Sequence, residues 1–124
     1  MQDDATAAAT FAALTARLID FRDARDWKRF HSLKNLMLSV SLEAAEILEL
    51  AQWKDEAEID TLAGDPGFRE ALGQECADVL IYLLLICERA GIDLGQAAAA
   101  KIDLNAAKYP VEKSRGNARK YTEL

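Results

Sequence analysis

Between Asp65 and Gly91 the chain carries a helical segment of unusual length, and that segment limits the folds open to it. Asp65-Pro66 is a start signal, a capping carboxylate with proline at the first helical position. Gly91 is the residue favoured just past a helix end. The helix so delimited runs from about Pro66 to Ala90 and is apolar nearly all round between Val79 and Ile86. The rest of the chain suits helices too: 23 alanines and 17 leucines stand against 6 glycines and 2 prolines. Alanine and leucine favour helix and disfavour turns, which argues against an all-β sandwich.

Three further helices are marked by periodicity and punctuation. The first spans about Thr6 to Arg25, with Phe11, Leu14, Leu18 and Phe21 forming one apolar stripe. A second runs from about Leu33 to Gln52 behind Ser32, a plausible N-cap. The last opens at Asp93, with Gln96 as capping-box partner, and ends near Lys108 because Pro110 disfavours helical geometry at Tyr109. Asp26–Ser32 connects the first two and carries Trp27, Phe30 and His31. The stretch from Asp55 to Gly64 is acidic, and Val111–Leu124 reads as irregular. The expectation is an all-α chain of 124 residues in one domain, a four-helix bundle completed by oligomerisation, with a basic irregular tail over about 109–124. Self-association follows from the apolar helix, which so short a chain cannot cover by itself.

The net charge is −6, but residues 1–100 carry −9 and residues 101–124 carry +3. An acidic body argues against general nucleic-acid binding and is compatible with holding metal cations. Met1–Ala9 has no basic residue ahead of an apolar core, and no apolar run approaches the ~20 residues of a membrane span. Both point to a cytoplasmic location. Cys76 and Cys87 fall on one helix, too far apart to bridge, and are expected to be buried reduced thiols.

Chemistry is concentrated in two acidic pairs. Glu43 and Glu46 are three residues apart and therefore neighbours on one helix face, and Glu75 and Asp78 repeat the spacing. Leu42, Ala44, Ala45, Ile47 and Leu48 surround the first pair, and no basic residue occurs between Lys34 and Lys54. The second pair is as isolated, its nearest basic residues being Arg69 and Arg89. Carboxylates in apolar helices need a counter-charge, and an all-oxygen set suits a hard cation such as Mg²⁺ or Mn²⁺. A ferritin-like di-iron site would want Glu-x-x-His motifs, and the single histidine, His31, lies outside both pairs.

The pattern Glu43-x-x-Glu46 followed by Glu75-x-x-Asp78 resembles the signature of the MazG-like, all-α nucleoside triphosphate pyrophosphohydrolases. Arg25-Asp26-Trp27, Phe30-His31, Gln52-Trp53-Lys54, Asp78–Leu83, Lys108–Val111 and Arg119–Leu124 resemble the dCTP pyrophosphatase branch. Where that branch can carry a histidine in the first helix, this chain has Leu18. The resemblance implies a homotetramer that hydrolyses a deoxynucleoside triphosphate to dNMP and pyrophosphate with Mg²⁺, Mn²⁺ being a possible substitute. It implies Glu43, Glu46, Glu75 and Asp78 as metal ligands. It also implies that Trp27, Lys28, Arg29, Phe30, His31, Trp53, Tyr82 and Asn105 line the nucleotide site.

Spacing adds detail to that assignment. Tyr82 lies one turn beyond Asp78 on the carboxylate face, and Trp53 lies seven residues past Glu46; flat rings there could stack on a base. Lys101, Asn105 and Lys108 form a polar stripe, either a solvated face or a contact to the triphosphate. No phosphate-binding G-x-x-x-x-G-K-[ST] loop and no serine nucleophile elbow is present, so a metal-activated water is the economical nucleophile. Glu49, one turn past Glu46, is the candidate to orient or deprotonate it. The resemblance implies dCTP and 5-substituted dCTP as the preferred substrates. Alternatives are a MazG-like house-cleaning enzyme of other or broader base preference and a non-catalytic helical interaction module. Neither nucleic acid nor membrane is expected as a partner.

Overall fold

The structure, a computed structural model, describes residues 10–124, so the expected helical residues 6–9 and the reading of Met1–Ala9 lie outside the described residues. Six α-helices follow: α1 (Phe11–Ala24), α2 (Leu33–Ala51), α3 (Glu56–Leu62), α4 (Pro66–Ala90), α5 (Leu94–Lys108) and α6 (Val111–Ser114). Two 3-10 turns, Lys28–Phe30 and Tyr121–Glu123, complete the secondary structure, and the described residues contain no strand. None of the helices searched is long and apolar enough to cross a membrane.

The first helix starts later than the expected Thr6: Thr10 is extended and caps it, accepting from the Ala13 amide at 3.1 Å, while three other expected starts, and the end at Gly91, are set by the expected chemistry. Ser32 accepts from the Asn35 amide at 3.1 Å, Asp65 from Phe68 at 2.9 Å and Asp93 from Gln96 at 3.0 Å. Gly91 ends α4 in the left-handed region at φ 70°, which a glycine adopts without steric cost. Two helices go beyond the four expected. Inside the acidic stretch Asp55 caps α3 by accepting from the Glu58 amide at 2.8 Å. Pro110 caps α6, so the tail from 109 onward is not irregular throughout.

The chain forms two compact units. In the first, which ends at Gly91, α4 packs most extensively on α2 and then on α1. Leu36, Leu84 and Leu85 are its buried apolar side chains. Large apolar side chains remain exposed along α2, among them Met37, Leu38, Leu42 and Leu48. Cys76 is exposed and Cys87 half-buried, which corrects the expectation of two buried thiols; both are unbridged. Cys76 faces away from α2 because it follows Glu75, which points inward, by ~100° around the helix.

The second unit, Ile92–Leu124, contains α5, α6 and the final 3-10 turn. Its end folds back on itself: Tyr121 meets Tyr109 edge-on at 6.1 Å, and the Lys108 ammonium lies 4.8 Å from the Tyr121 ring.

Candidate metal and nucleotide site

Along α2 the side chains turned inward are Leu36, Val40, Ile47 and Leu50, and Glu43 stands in the same row, spaced alternately four and three. This is the seam at which α2 meets α4. On α4, Glu75 stands likewise between Leu72 and Val79. Two acids thus take positions that helix packing ordinarily gives to apolar residues.

Glu46 and Asp78, one turn further along their helices, complete a cluster: one carboxylate oxygen from each of Glu43, Glu46, Glu75 and Asp78 lies within 4.8 Å of the others. None of the salt bridges among the described residues involves any of the four. Glu43 Oε2 and Glu75 Oε2 are sealed from solvent without a hydrogen-bond partner. Burial, then the neighbouring Glu46 and Asp78, push the Glu43 carboxyl above its ordinary range. Glu75 is raised foremost by a proton-sharing contact with Glu46, then by burial and by the charges of Glu46, Asp78 and Glu43. Orphaned oxygens, mutual repulsion and an oxygen-only donor set are what a site for a hard divalent cation has before the cation binds. The cluster fits a metal ion.

A cleft of about 550 Å³ adjoins these acids. Glu43 and Asp78 line it, with Tyr82 and Ile81 of α4 beyond them. Leu14, Leu18, Phe21 and Arg22 of α1 form another part of its wall, and Trp27 and His31 contribute from the connection between α1 and α2. That connection is folded rather than loose. The Trp27 amide donates to the Arg22 carbonyl at 3.1 Å, and Asp26 adopts φ 53° to permit the return. Trp27 meets Phe21 edge-on at 5.7 Å and His31 at 6.3 Å. Burial, then the charges of Arg22 and Arg89, hold His31 below its ordinary pKa, so the ring is neutral at physiological pH. Its Nδ1 is sealed without a partner.

Of the residues assigned to the nucleotide site, Trp27, His31 and Tyr82 therefore come together with two of the acids. Lys28, Arg29 and Phe30 are exposed on the 3-10 turn, where Arg29 pairs with Asp26 at 3.0 Å and lies over the Phe30 ring at 5.0 Å. Trp53 is 91% exposed at φ 65° and is not among the residues lining the cleft. Glu49 lines a separate recess with Ala45, Leu48, Ala51 and Gln52. Three residues after Glu46 it stands ~60° around α2, turned toward the exposed face of Leu38 and Leu42. Lys101, Asn105 and Lys108 are exposed on α5 of the second unit.

Two basic residues of the cleft were not expected, the exposed Arg17 and the buried Arg22. Arg22 is only 4% exposed and lines the cleft; its Nε donates to Asp23 Oδ1 at 2.9 Å and its Nη1 to Glu88 Oε2 at 3.2 Å. The signal lay in its spacing: Leu14, Leu18 and Arg22 recur every four residues, so the arginine continues an apolar row.

The chain is 46% identical over 105 residues to dCTP pyrophosphatase 1 of Rattus norvegicus and 42% identical to that of Homo sapiens, each alignment covering 85% of this chain. It spans 62% of the length of these curated relatives. The crystal structure of a pyrophosphatase from Archaeoglobus fulgidus superimposes with a TM-score of 0.72 at 40% identity, covering 78% of this chain and 89% of that one. Residues 38–124, which include all four clustered acids, match the MazG-like family, and the chain belongs to that family.

Proposed function

We propose that this protein hydrolyses a deoxynucleoside triphosphate to the monophosphate and pyrophosphate, with Mg²⁺ as cofactor, Mn²⁺ as a substitute, and dCTP or a 5-substituted dCTP as substrate. The observation that carries the reading is the convergence of four carboxylates within 4.8 Å beside a cleft of aromatic side chains. The names of the relatives, dCTP pyrophosphatase 1, support the substrate class. Glu43, Glu46, Glu75 and Asp78 would hold the cation, which supplies charge neutralisation at the phosphates and an acidified water. The four acids repel a bare triphosphate, so they confine its binding to the metal-loaded state. Trp27 and Tyr82 offer ring faces to the base, and neutral His31 offers a hydrogen-bonding edge. Glu49 is assigned the accessory part of orienting the attacking water or taking its proton. Trp53, Lys28, Arg29, Phe30 and Asn105 keep the substrate contacts that the resemblance gives them, and Lys101 and Lys108, from their spacing on one stripe, are assigned to the triphosphate.

Leu18 in the cleft wall supports a second reading, a broader base preference, because an apolar side chain there makes no polar contact to a base. The proposal includes a cytoplasmic homo-oligomer, a tetramer by resemblance, supported by the apolar side chains left exposed on α2. Light scattering that gives a stable monomer at micromolar concentration would remove that part. The activity is tested by quantifying dNMP and pyrophosphate from the four common dNTPs and 5-methyl-dCTP, with and without Mg²⁺. Magnesium-dependent release, highest for the cytosine nucleotides, is expected. Release from no dNTP overturns the proposal.

A further inference from the structure

We propose that Arg22 reads the base: its guanidinium, fixed at the wall of the cleft, donates to the adjacent acceptors O2 and N3 of a cytosine and so rejects a pyrimidine protonated at N3. This inference rests on the proposed hydrolysis of a deoxynucleoside triphosphate and deepens it by naming the group that discriminates.

A guanidinium that is 4% exposed is uncommon, and its position at a cleft wall makes it available to whatever enters. Its orientation is fixed twice, by Nε to Asp23 at 2.9 Å and by Nη1 to Glu88 at 3.2 Å. Of the five N–H groups of an arginine those bonds use two; Nη2 makes no hydrogen bond to a described residue. Trp27 and Phe21 line the same cleft as Arg22, and their rings suit stacking on a base.

Charge decides which part of a nucleotide the guanidinium meets. Two carboxylates already flank the single guanidinium, leaving the group with a local balance of −1. Such a group is a poor anchor for a phosphate and a good donor to neutral acceptors. The phosphates belong with the cation at Glu43 and Asp78, which line the same cleft, so the base is the neutral acceptor available.

Cytosine presents O2 and N3 side by side, both acceptors, matching two parallel N–H donors. Uracil and thymine carry a proton on N3, which places a donor against a donor. A mismatch of this kind rejects more strongly than a change in apolar contact, because the bound base leaves polar groups facing each other unpaired.

The test compares dCTP, dUTP and the deoxynucleoside triphosphate of 2-pyrimidinone, which keeps O2 and N3 but lacks the 4-amino group. Wild type should prefer dCTP to dUTP and accept the 2-pyrimidinone nucleotide. Arg22→Lys keeps the positive charge for Asp23 and Glu88 but loses the guanidinium. It should narrow the dCTP/dUTP ratio of kcat/KM by about tenfold, more through KM than kcat. The pair Arg22→Gln/Glu88→Gln leaves only the half-exposed Asp23 without its partner and should narrow it equally. NMR titration of metal-free protein with dCMP and dUMP should show the same loss of preference.

Folded variants with an unchanged dCTP/dUTP ratio would overturn the inference. So would an equal loss on both substrates, which marks a structural role, or a wild type that prefers dUTP. A wild type that releases pyrophosphate from no dNTP overturns the parent proposal and this inference with it; that failure is distinct because it appears before any substitution.

Discussion

Replacing Glu88 by glutamine should lower the melting temperature by about 4–8 °C, at about 4 °C per kcal/mol for a chain of this size. The Arg22 side chain is 5% exposed and the Glu88 side chain 29%, with Nη1 and Oε2 3.2 Å apart. A fully exposed pair would contribute about 0–1 kcal/mol, whereas removing one partner of a fully buried pair costs about 3–5 kcal/mol. This pair lies between those limits. Glutamine still accepts a hydrogen bond, and Asp23 remains against Nε at 2.9 Å, both of which soften the loss. The 3.2 Å separation is also longer than a tight charge-assisted bond. Together these place the cost at about 1–2 kcal/mol. The raised pKa of Arg22, due first to its bond with Asp23 and only later to Glu88, agrees that Glu88 is the lesser partner. Scanning calorimetry at matched protein concentration measures the difference without confounding it with assembly. It should persist from about 0.15 M to about 1 M salt, because a pair with one end buried is weakly screened. A melting temperature within about 1 °C of wild type, or a difference that disappears at high salt, would show that the pair behaves as a surface contact.

Glu46→Gln or Asp78→Asn should reduce pyrophosphate release by roughly 100-fold or more, while the melting temperature of the metal-free protein holds or rises as repulsion is relieved; near-normal turnover at saturating Mg²⁺ refutes the ligand role. The raised carboxyls of Glu43 and Glu75 make the native state hold more protons than the unfolded chain between the ordinary value of 4.5 and their higher native values. Metal-free protein should therefore gain stability as pH falls from neutral into that window, an advantage that Glu43→Gln/Glu75→Gln lacks. Melting curves of the two that run parallel with pH would contradict this. Trp53→Ala should raise KM for the preferred dNTP and flatten the differences between bases without a large change in Mg²⁺ affinity; an unchanged substrate profile removes Trp53 from the base pocket.

The helix ends at Ser32, Asp65-Pro66, Gly91 and Asp93 were legible because a cap is a local device, set by one side chain and an amide three residues on. The same device was present at Asp55, but α3 has only seven residues and its charged face hides its apolar period. Four residues of α6 are too few to display a period at all. The acid pairs were legible through spacing and the lack of basic neighbours. Arg22 was not, because its partner Glu88 lies 66 residues away and only the packing of α1 on α4 brings them together. Cys76 misled because an apolar neighbourhood in sequence does not say which side of a helix a residue takes.

The placement of Glu43 and Glu75 in the helix seam ties stability to chemistry. Apolar side chains there would close α2 on α4 without leaving polar atoms unpaired. The acids instead leave two sealed oxygens without partners and hold four carboxylates within 4.8 Å. Sealed, unpaired carboxylate oxygens are costly, so nothing about folding alone favours them. A bound cation would relieve that cost by satisfying the oxygens and cancelling their repulsion. The same placement would serve recognition. In the proposed function, ligands on two packed helices would hold the metal end of a substrate in place, and the cleft between the acids and Trp27 would then set where the base lies. On that proposal the acids would meet only phosphates, through the metal, and could not tell one base from another. Discrimination must come from groups whose donors are fixed before the base arrives, and Arg22, held by Asp23 and Glu88, is such a group in the cleft wall.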